Sequence, residues 1–286
     1  MREVSVEKVY IEDLECFKNL FYDNLSYIPW GDYVKMFTVR DPNIEDKFVG
    51  IGLKKNDVWV GFVGMIRAMR WLNGTKVATA NMTTFVIEEK SRQDGWQFFM
   101  AMSEFSDLIL TALSPMPITV KLLSMFNSGA VQSRHFQLIE TQAPYDYFCG
   151  VVNDDSALHS ILRGEELDIY NYHKGGKCIN MLFRNNYEHC YVILKVNNIE
   201  EQNYMEVIYF SNESFFVKSI SAIYHIVSDL YVFDGLVIDE FDAPEIMKSS
   251  AKKIAMKEPR MIFGEQSKNK KFPFMCLYSE RMFLDI

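Results

Sequence analysis

The residues best suited to chemistry lie in one short stretch. Glu88-Glu89 close the run Thr83-Thr84-Phe85-Val86-Ile87, and Arg92-Gln93-Asp94-Gly95-Trp96-Gln97 follows after Lys90-Ser91. A loop that feeds a helix leaves the first helical N–H groups unpaired, and the helix dipole strengthens their pull on an anion. Gly95 has no Cβ, so a phosphate can approach the backbone closely. Arg92 can add a charge-assisted contact. The spacing predicts a pyrophosphate seat on residues 92–97; the alternative is a solvated strand-to-helix connection. A carboxylate at a strand end can act as a general base. Neighbouring strand residues point to opposite faces, so only one of Glu88 and Glu89 can face a cleft; the alternative for each is a solvated carboxylate.

The elements around this stretch follow from periodicity. Val4–Tyr10 reads as a strand and Ile11–Tyr22 as a helix, with a second helical piece at Asp32–Phe37. Lys47–Leu53, Val58–Met69 and Lys76–Ile87 read as three strands, the last two joined through Asn73-Gly74, a hairpin signal. A helix is expected to carry Phe98, Met102, Phe105, Ile109 and Leu113 on one face and to end before Pro115. Ile118–Phe126 reads as a buried strand, and strands near Phe136–Ile139 and Tyr147–Val152 complete the half.

This order, with Ile87 at the strand end and Arg92–Gln97 in the loop, resembles the GNAT acyltransferase family. The resemblance implies an α+β fold, a central strand whose neighbour splays away, and an acyl-CoA whose pantetheine arm pairs as a pseudo-strand with Phe85, Val86 and Ile87. It implies acetyl-CoA as co-substrate, its pyrophosphate on Arg92, Gln93, Asp94, Gly95, Trp96 and Gln97. Asn127 matches an Asn that contacts the CoA arm in the family; a helix N-cap is the alternative. Where the family pattern ends in a small residue this chain has Gln97, after the bulky Trp96, and the family's tyrosine acid is missing from Ala130–Arg134. Ser133 and His135 remain as possible acids.

The second half repeats the strand order: Ile179–Phe183, Cys190–Lys195, Tyr204–Phe210, a long helix Glu213–Phe233, a strand Leu236–Asp239, a helix Ala243–Ala255, and closing strands Met261–Phe263 and Pro273–Tyr278. It lacks a phosphate loop after Phe210. The expectation is two GNAT-like lobes, each a mostly antiparallel sheet flanked by helices: an acyl-CoA-binding domain over residues 1–152 and a degenerate one over 153–286. Asp239 and Asp242 are expected to wall an acceptor site opposite Glu88 or Glu89.

The chain has 286 residues and a net charge of −8, which disfavours nucleic acid and suits a small amine acceptor. No apolar run approaches the roughly 20 residues that span a bilayer. The N-terminus shows no signal peptide, and the five cysteines are scattered. Both features predict a cytoplasmic protein with reduced thiols. His173, Cys178, His189 and Cys190 lack the paired spacing of a metal site, so no metal is expected. Lys268-Asn269-Lys270-Lys271 reads as a solvated turn. Oligomerisation is left open. The competing function class is a GNAT-like binding module without catalysis, and a macromolecular acceptor is a further alternative.

Overall fold

A computed structural model describes residues 4–39, 41–72, 75–105, 107–126, 130–139, 150–248, 252–256, 259–263, 274 and 276–284. The chain forms two compact units, Met1–Gln132 with Glu258–Ile286, and Ser133–Lys257. Each contains a seven-stranded sheet. Among the described residues, no helix is long and apolar enough to cross a membrane.

The first unit opens with β1 (Val4–Val9), a 3-10 helix (Ile11–Phe17) and helices α1 (Lys18–Leu25) and α2 (Trp30–Thr38). Then come β2 (Gly50–Lys55), β3 (Val58–Leu72) and β4 (Thr75–Ile87) as an antiparallel meander. Between β2 and β3, Asn56 and Asp57 take φ of 49° and 63°, the doubly left-handed geometry of a type I′ hairpin turn. Asn73-Gly74 lies outside the described residues, yet the register Leu72↔Thr75 closes the expected hairpin.

Helix α3 covers only Trp96–Met102, and Ile109–Ala112 is strand β5, parallel to β4. The expected long helix therefore stops ten residues before Ala112. Its apolar run satisfies either periodicity, and the fully buried Ile109–Ala112 is claimed by the sheet. Conversely, the expected strand Ile118–Phe126 is helix α4 (Pro117–Phe126). Pro117 stands at the first helical position, where its missing N–H costs nothing. The strand β6 (Ala130–Gln132) follows.

The chain then passes to the second sheet: β7 (His135–Ile139), β8 (Gly150–Val152), β9 (Ile179–Arg184), β10 (His189–Ile199), β11 (Gln202–Phe210), β12 (Gly235–Asp239) and β13 (Lys253–Ala255). Helices α5 (Asp155–Ile161), α6 (Gly164–His173) and α7 (Glu213–Leu230) belong to this unit. The expected helix Ala243–Ala255 is a 3-10 turn at Glu245–Met247 followed by β13. Finally β14 (Arg260–Phe263) returns to the first sheet, between β5 and β6. The expected closing strand Pro273–Tyr278 is turn wherever it is described.

The units thus differ from the expected split between residues 152 and 153. β7 pairs antiparallel with β12, and β14 pairs antiparallel with β5. Each covers the free edge of its sheet's parallel strand, and β8 also joins the second sheet against β9, so β7, β8 and β14 lie on the far side of the boundary that composition suggested. The element order is alike in the two units, β2–β3–β4 with α3 and β5 against β9–β10–β11 with α7 and β12, and among the described residues each sheet has one parallel pair.

The first sheet is packed on both faces. Ala80, Met82 and Ile87 meet Phe98, Phe99 and Met102 of α3 in one core. On the other face, Phe62 lies 5.0 Å from the Phe17 ring and 5.6 Å from those of Phe21 and Phe37.

Candidate acyl-CoA site

The parallel ladder of β4 and β5 holds for three pairs, Thr79↔Ile109, Ala80↔Leu110 and Asn81↔Thr111, and then stops. β4 continues to Ile87 with β3 along its other edge. From Met82 onward it therefore has one strand partner among the described residues, and backbone groups on its other edge need another acceptor or donor. β5 itself ends at Ala112, one residue past the last pair, so the opening that stands for the expected splay lies beyond the end of β5 and not beside residues 118–126.

Along the open stretch β4 carries a bulge. Its register against β3 slips between Phe62 and Gly64, leaving Thr84 and Phe85 opposite Val63. Thr84 has φ 55°, a left-handed conformation that a β-branched residue adopts at a cost of about 1–3 kcal/mol. Its hydroxyl lies 3.2 Å from that of Thr83.

A cavity of about 150 Å³ opens at the splay. Met82, Thr83, Thr84 and Phe85 line it from β4, Phe99 and Met102 from α3, and Ser114 and Met116 from the segment after β5. Tyr27, Ile28 and Tyr33, in and before α2, contribute further walls. Burial holds the Tyr33 phenol above its ordinary range, so it stays protonated and can serve as a hydrogen-bond donor. No sequence signal marked Tyr33, because it lies about fifty residues upstream of the strand it faces.

Beyond Ile87 the loop takes a definite form. Glu89–Asp94 is a 3-10 helix that runs through Gly95 directly into α3. The Ser91 amide donates to Glu88 O and the Gly95 amide to Arg92 O, so these two are engaged internally. Gly95 has φ −60°, open to any residue. Its requirement is space: a Cβ there would come within 2.6 Å of Ile87 Cδ1 and 3.1 Å of Arg92 O. Arg92, Gln93 and Trp96 are exposed, Trp96 by 50%. Asp94 is paired at 2.6 Å with Lys55, both largely buried, which offsets its charge beside the seat.

The two glutamates lie past the end of β4, Glu88 at the cap and Glu89 at the start of the 3-10 helix, so strand alternation does not set their directions. Glu89 is exposed, whereas Glu88 is half-buried and pairs with Lys90 at 3.0 Å. Glu88 Oε2 is shielded and has no hydrogen-bond partner among the described residues. Neither glutamate lines the cavity itself. Asn127 lies outside the described residues.

The second unit treats its carboxylates differently. Asp239 is 2% exposed; it accepts from Arg134 Nε at 3.2 Å and from the Phe241 amide at 3.0 Å. Arg134 also reaches Glu206 at 3.1 Å. Asp239 is thus part of an interior ion network, which corrects its expected place on an open acceptor wall. Asp242 is half-buried, and its amide donates to Asp239 O at 2.9 Å. At the head of α7, Asn212 Oδ1 accepts from the Phe215 amide at 3.0 Å, so the helix start that could have formed a second anion seat is capped by its own chain.

No family profile and no curated protein matches the sequence. Solved structures do match the fold. A GCN5-related N-acetyltransferase from Anabaena variabilis is similar over 91% of this chain and 72% of its own, with TM-score 0.60 and 14% identity. This chain has the GCN5-related N-acetyltransferase fold. A second enzyme so described, from Kribbella flavida, matches over 91% of this chain and 71% of its own at TM-score 0.59 and 12% identity. Saccharomyces cerevisiae N-myristoyltransferase with bound myristoyl-CoA matches over 91% and 78%, at TM-score 0.50 and 9% identity. The GNAT fold therefore extends over both units.

Proposed function

We propose that this protein is an acyl-CoA-dependent acyltransferase that acylates an amine, with acetyl-CoA as the simplest donor. The observation that carries the reading is the edge of β4 that runs on past the end of β5, with a cavity beside it. An extended pantetheine arm carries amides of its own, and the edge of Phe85–Ile87 offers them partners in the manner of an added strand. The pyrophosphate is assigned to residues 92–97, where Arg92 supplies the positive charge and Asp94 is offset by Lys55. The thioester then lies near Met82–Phe85, between α3 and the Tyr33 side of the sheet.

In the reaction an amine lone pair attacks the thioester carbonyl, the C–S bond breaks, and the thiolate leaves. Tyr33 donates a hydrogen bond on that side of the cavity. Glu88, with its unpartnered Oε2, is the group assigned to attract a cationic acceptor at the strand end. The small volume favours a short acyl chain; a cavity of similar size holds one benzene ring.

The second reading is a CoA-binding module without turnover. The engaged amides of Ser91 and Gly95 and the bulk of Trp96 favour it. Calorimetric titration with CoA, acetyl-CoA and adenosine tests the common core of both readings. CoA binding much tighter than adenosine binding is expected, and equal weak binding of all three would refute a CoA site. Thiol release in the presence of an amine panel then separates enzyme from module.

A further inference from the structure

The last pair of the β4–β5 ladder, Asn81↔Thr111, sits at the apex of the splay, and a buried acid is fastened to it. Glu280, from the C-terminal segment, is 1% exposed. The Asn81 side-chain amide donates to Glu280 Oε2, and Asn81 Oδ1 in turn accepts from Thr111 Oγ1 at 3.2 Å. The other carboxyl oxygen, Oε1, accepts from Ser114 Oγ at 2.8 Å. Ser114 lines the cavity. A carboxyl sealed inside the unit is therefore one hydroxyl away from the space assigned to the thioester.

We propose that Glu280 is the proton acceptor of the acyl transfer, reached through the Ser114 hydroxyl. The assignment rests on the acyltransferase reading. As the amine nitrogen forms its bond to the thioester carbon and the C–S bond breaks, the ammonium proton passes to Ser114 Oγ, and the Ser114 proton passes to Glu280 Oε1. The sulfur keeps the C–S electron pair and is protonated by solvent. Glu280 returns its proton through Ser114 when product leaves, so the sum is amine plus thioester giving amide plus thiol. Burial raises the affinity of Glu280 for a proton above that of an ordinary glutamate. Hydrogen bonds from Ser114 and Asn81 and the charge of neighbouring Arg281 pull the other way. A carboxyl raised toward neutrality is better matched to an amine proton than a solvated one.

A purely structural Glu280 would tie the C-terminal segment to β4 and nothing more. Glu280→Gln separates the two roles, because its amide oxygen can accept from Asn81 while its NH2 donates to Ser114 Oγ, and it cannot take the proton. Thiol release from acetyl-CoA is measured with the amine panel and with water alone, which needs no known acceptor. Glu280→Gln is expected to lower kcat by on the order of 10²-fold or more, with CoA affinity and melting temperature retained. Ser114→Ala is expected to lose a similar factor and Ser114→Thr to recover most of it. Infrared difference spectra give a readout independent of turnover: the protonated-acid band that Glu280→Gln abolishes should titrate with pH and respond to bound acetyl-CoA, and Ser114→Ala should remove that response. Wild-type turnover in Glu280→Gln, or a band unaffected by acetyl-CoA, overturns the proposal. Failure of wild-type protein to bind CoA refutes the acyltransferase reading instead.

Discussion

Gly95 and Thr84 show how single residues set the site's geometry. Gly95 is needed for the close packing of the loop on Ile87, because a Cβ there would collide with the Ile87 side chain. Gly95→Asp adds bulk and a negative charge, and CoA affinity should fall at least tenfold, about 1.4 kcal/mol. Gly95→Ala isolates the steric part and should cost less; equal losses in calorimetry would mean that charge plays no role. Thr84 holds a left-handed bulge in the cavity wall. Thr84→Gly should relieve that conformation and leave the melting temperature unchanged or higher, despite the entropy that glycine adds to the unfolded chain. A clear drop in thermal unfolding would show that Thr84 is not strained. Residues 85–97 were legible in the sequence because they are contiguous and read as one strand, loop and helix. Ser114 and Glu280 were not, since they are 166 positions apart and no local pattern links them.

Helix α3 is short, and its hold on the sheet rests on few side chains. Phe98 is fully buried, and its ring lies 5.6 Å from that of Phe85 in an edge-on contact. Phe98→Ala should cost about 3–5 kcal/mol by chemical denaturation. Because α3 also carries Trp96 and Gln97 of the proposed pyrophosphate seat, CoA affinity should fall with it even in the folded fraction. A loss below about 1 kcal/mol would mean that the core closes around the missing ring. The elements that sequence reading misassigned are instructive. Ile109–Ala112 and Pro117–Phe126 are both apolar enough for either state. The choice was made by a parallel partner for the first and by Pro117 at a helix start for the second. Neither β5's partner nor the path of β14 can be read from the residues themselves.

At the scale of the molecule, Glu280 links pH to stability. Its proton affinity is raised in the folded state, so the stability it contributes is fully present below the ordinary glutamate value of 4.5 and is lost as pH rises through its folded value. Glu280→Gln cannot titrate. Its stability relative to wild type should therefore increase with pH above about 4.5, read from urea midpoints at several pH values. A difference independent of pH would mean that Glu280 titrates as if exposed. The exchange of β7 and β14 gives a second expectation. Fragments 1–152 and 153–286 each lack a strand that their own sheet requires, so neither should unfold cooperatively on heating. A sharp calorimetric transition in fragment 1–152 would show that β14 is dispensable. Composition and repeat order suggested two lobes correctly, but pairing between residues 111 and 262 leaves no mark on local sequence.

The late arrival of β14 has a consequence for biosynthesis. When a ribosome has released β5, the strand that covers its edge is still about 150 residues from being made. At about 5–20 residues per second that wait lasts roughly 8–30 s. During it, the nascent chain presents an uncovered apolar strand edge of the kind that invites aggregation. The first sheet can close only after the second unit has been synthesised, so folding of the first unit is post-translational in order. Cells making this protein are expected to shield that edge with a holding chaperone, and ribosome-bound chains stalled before β14 should be far more sensitive to protease than chains stalled after it.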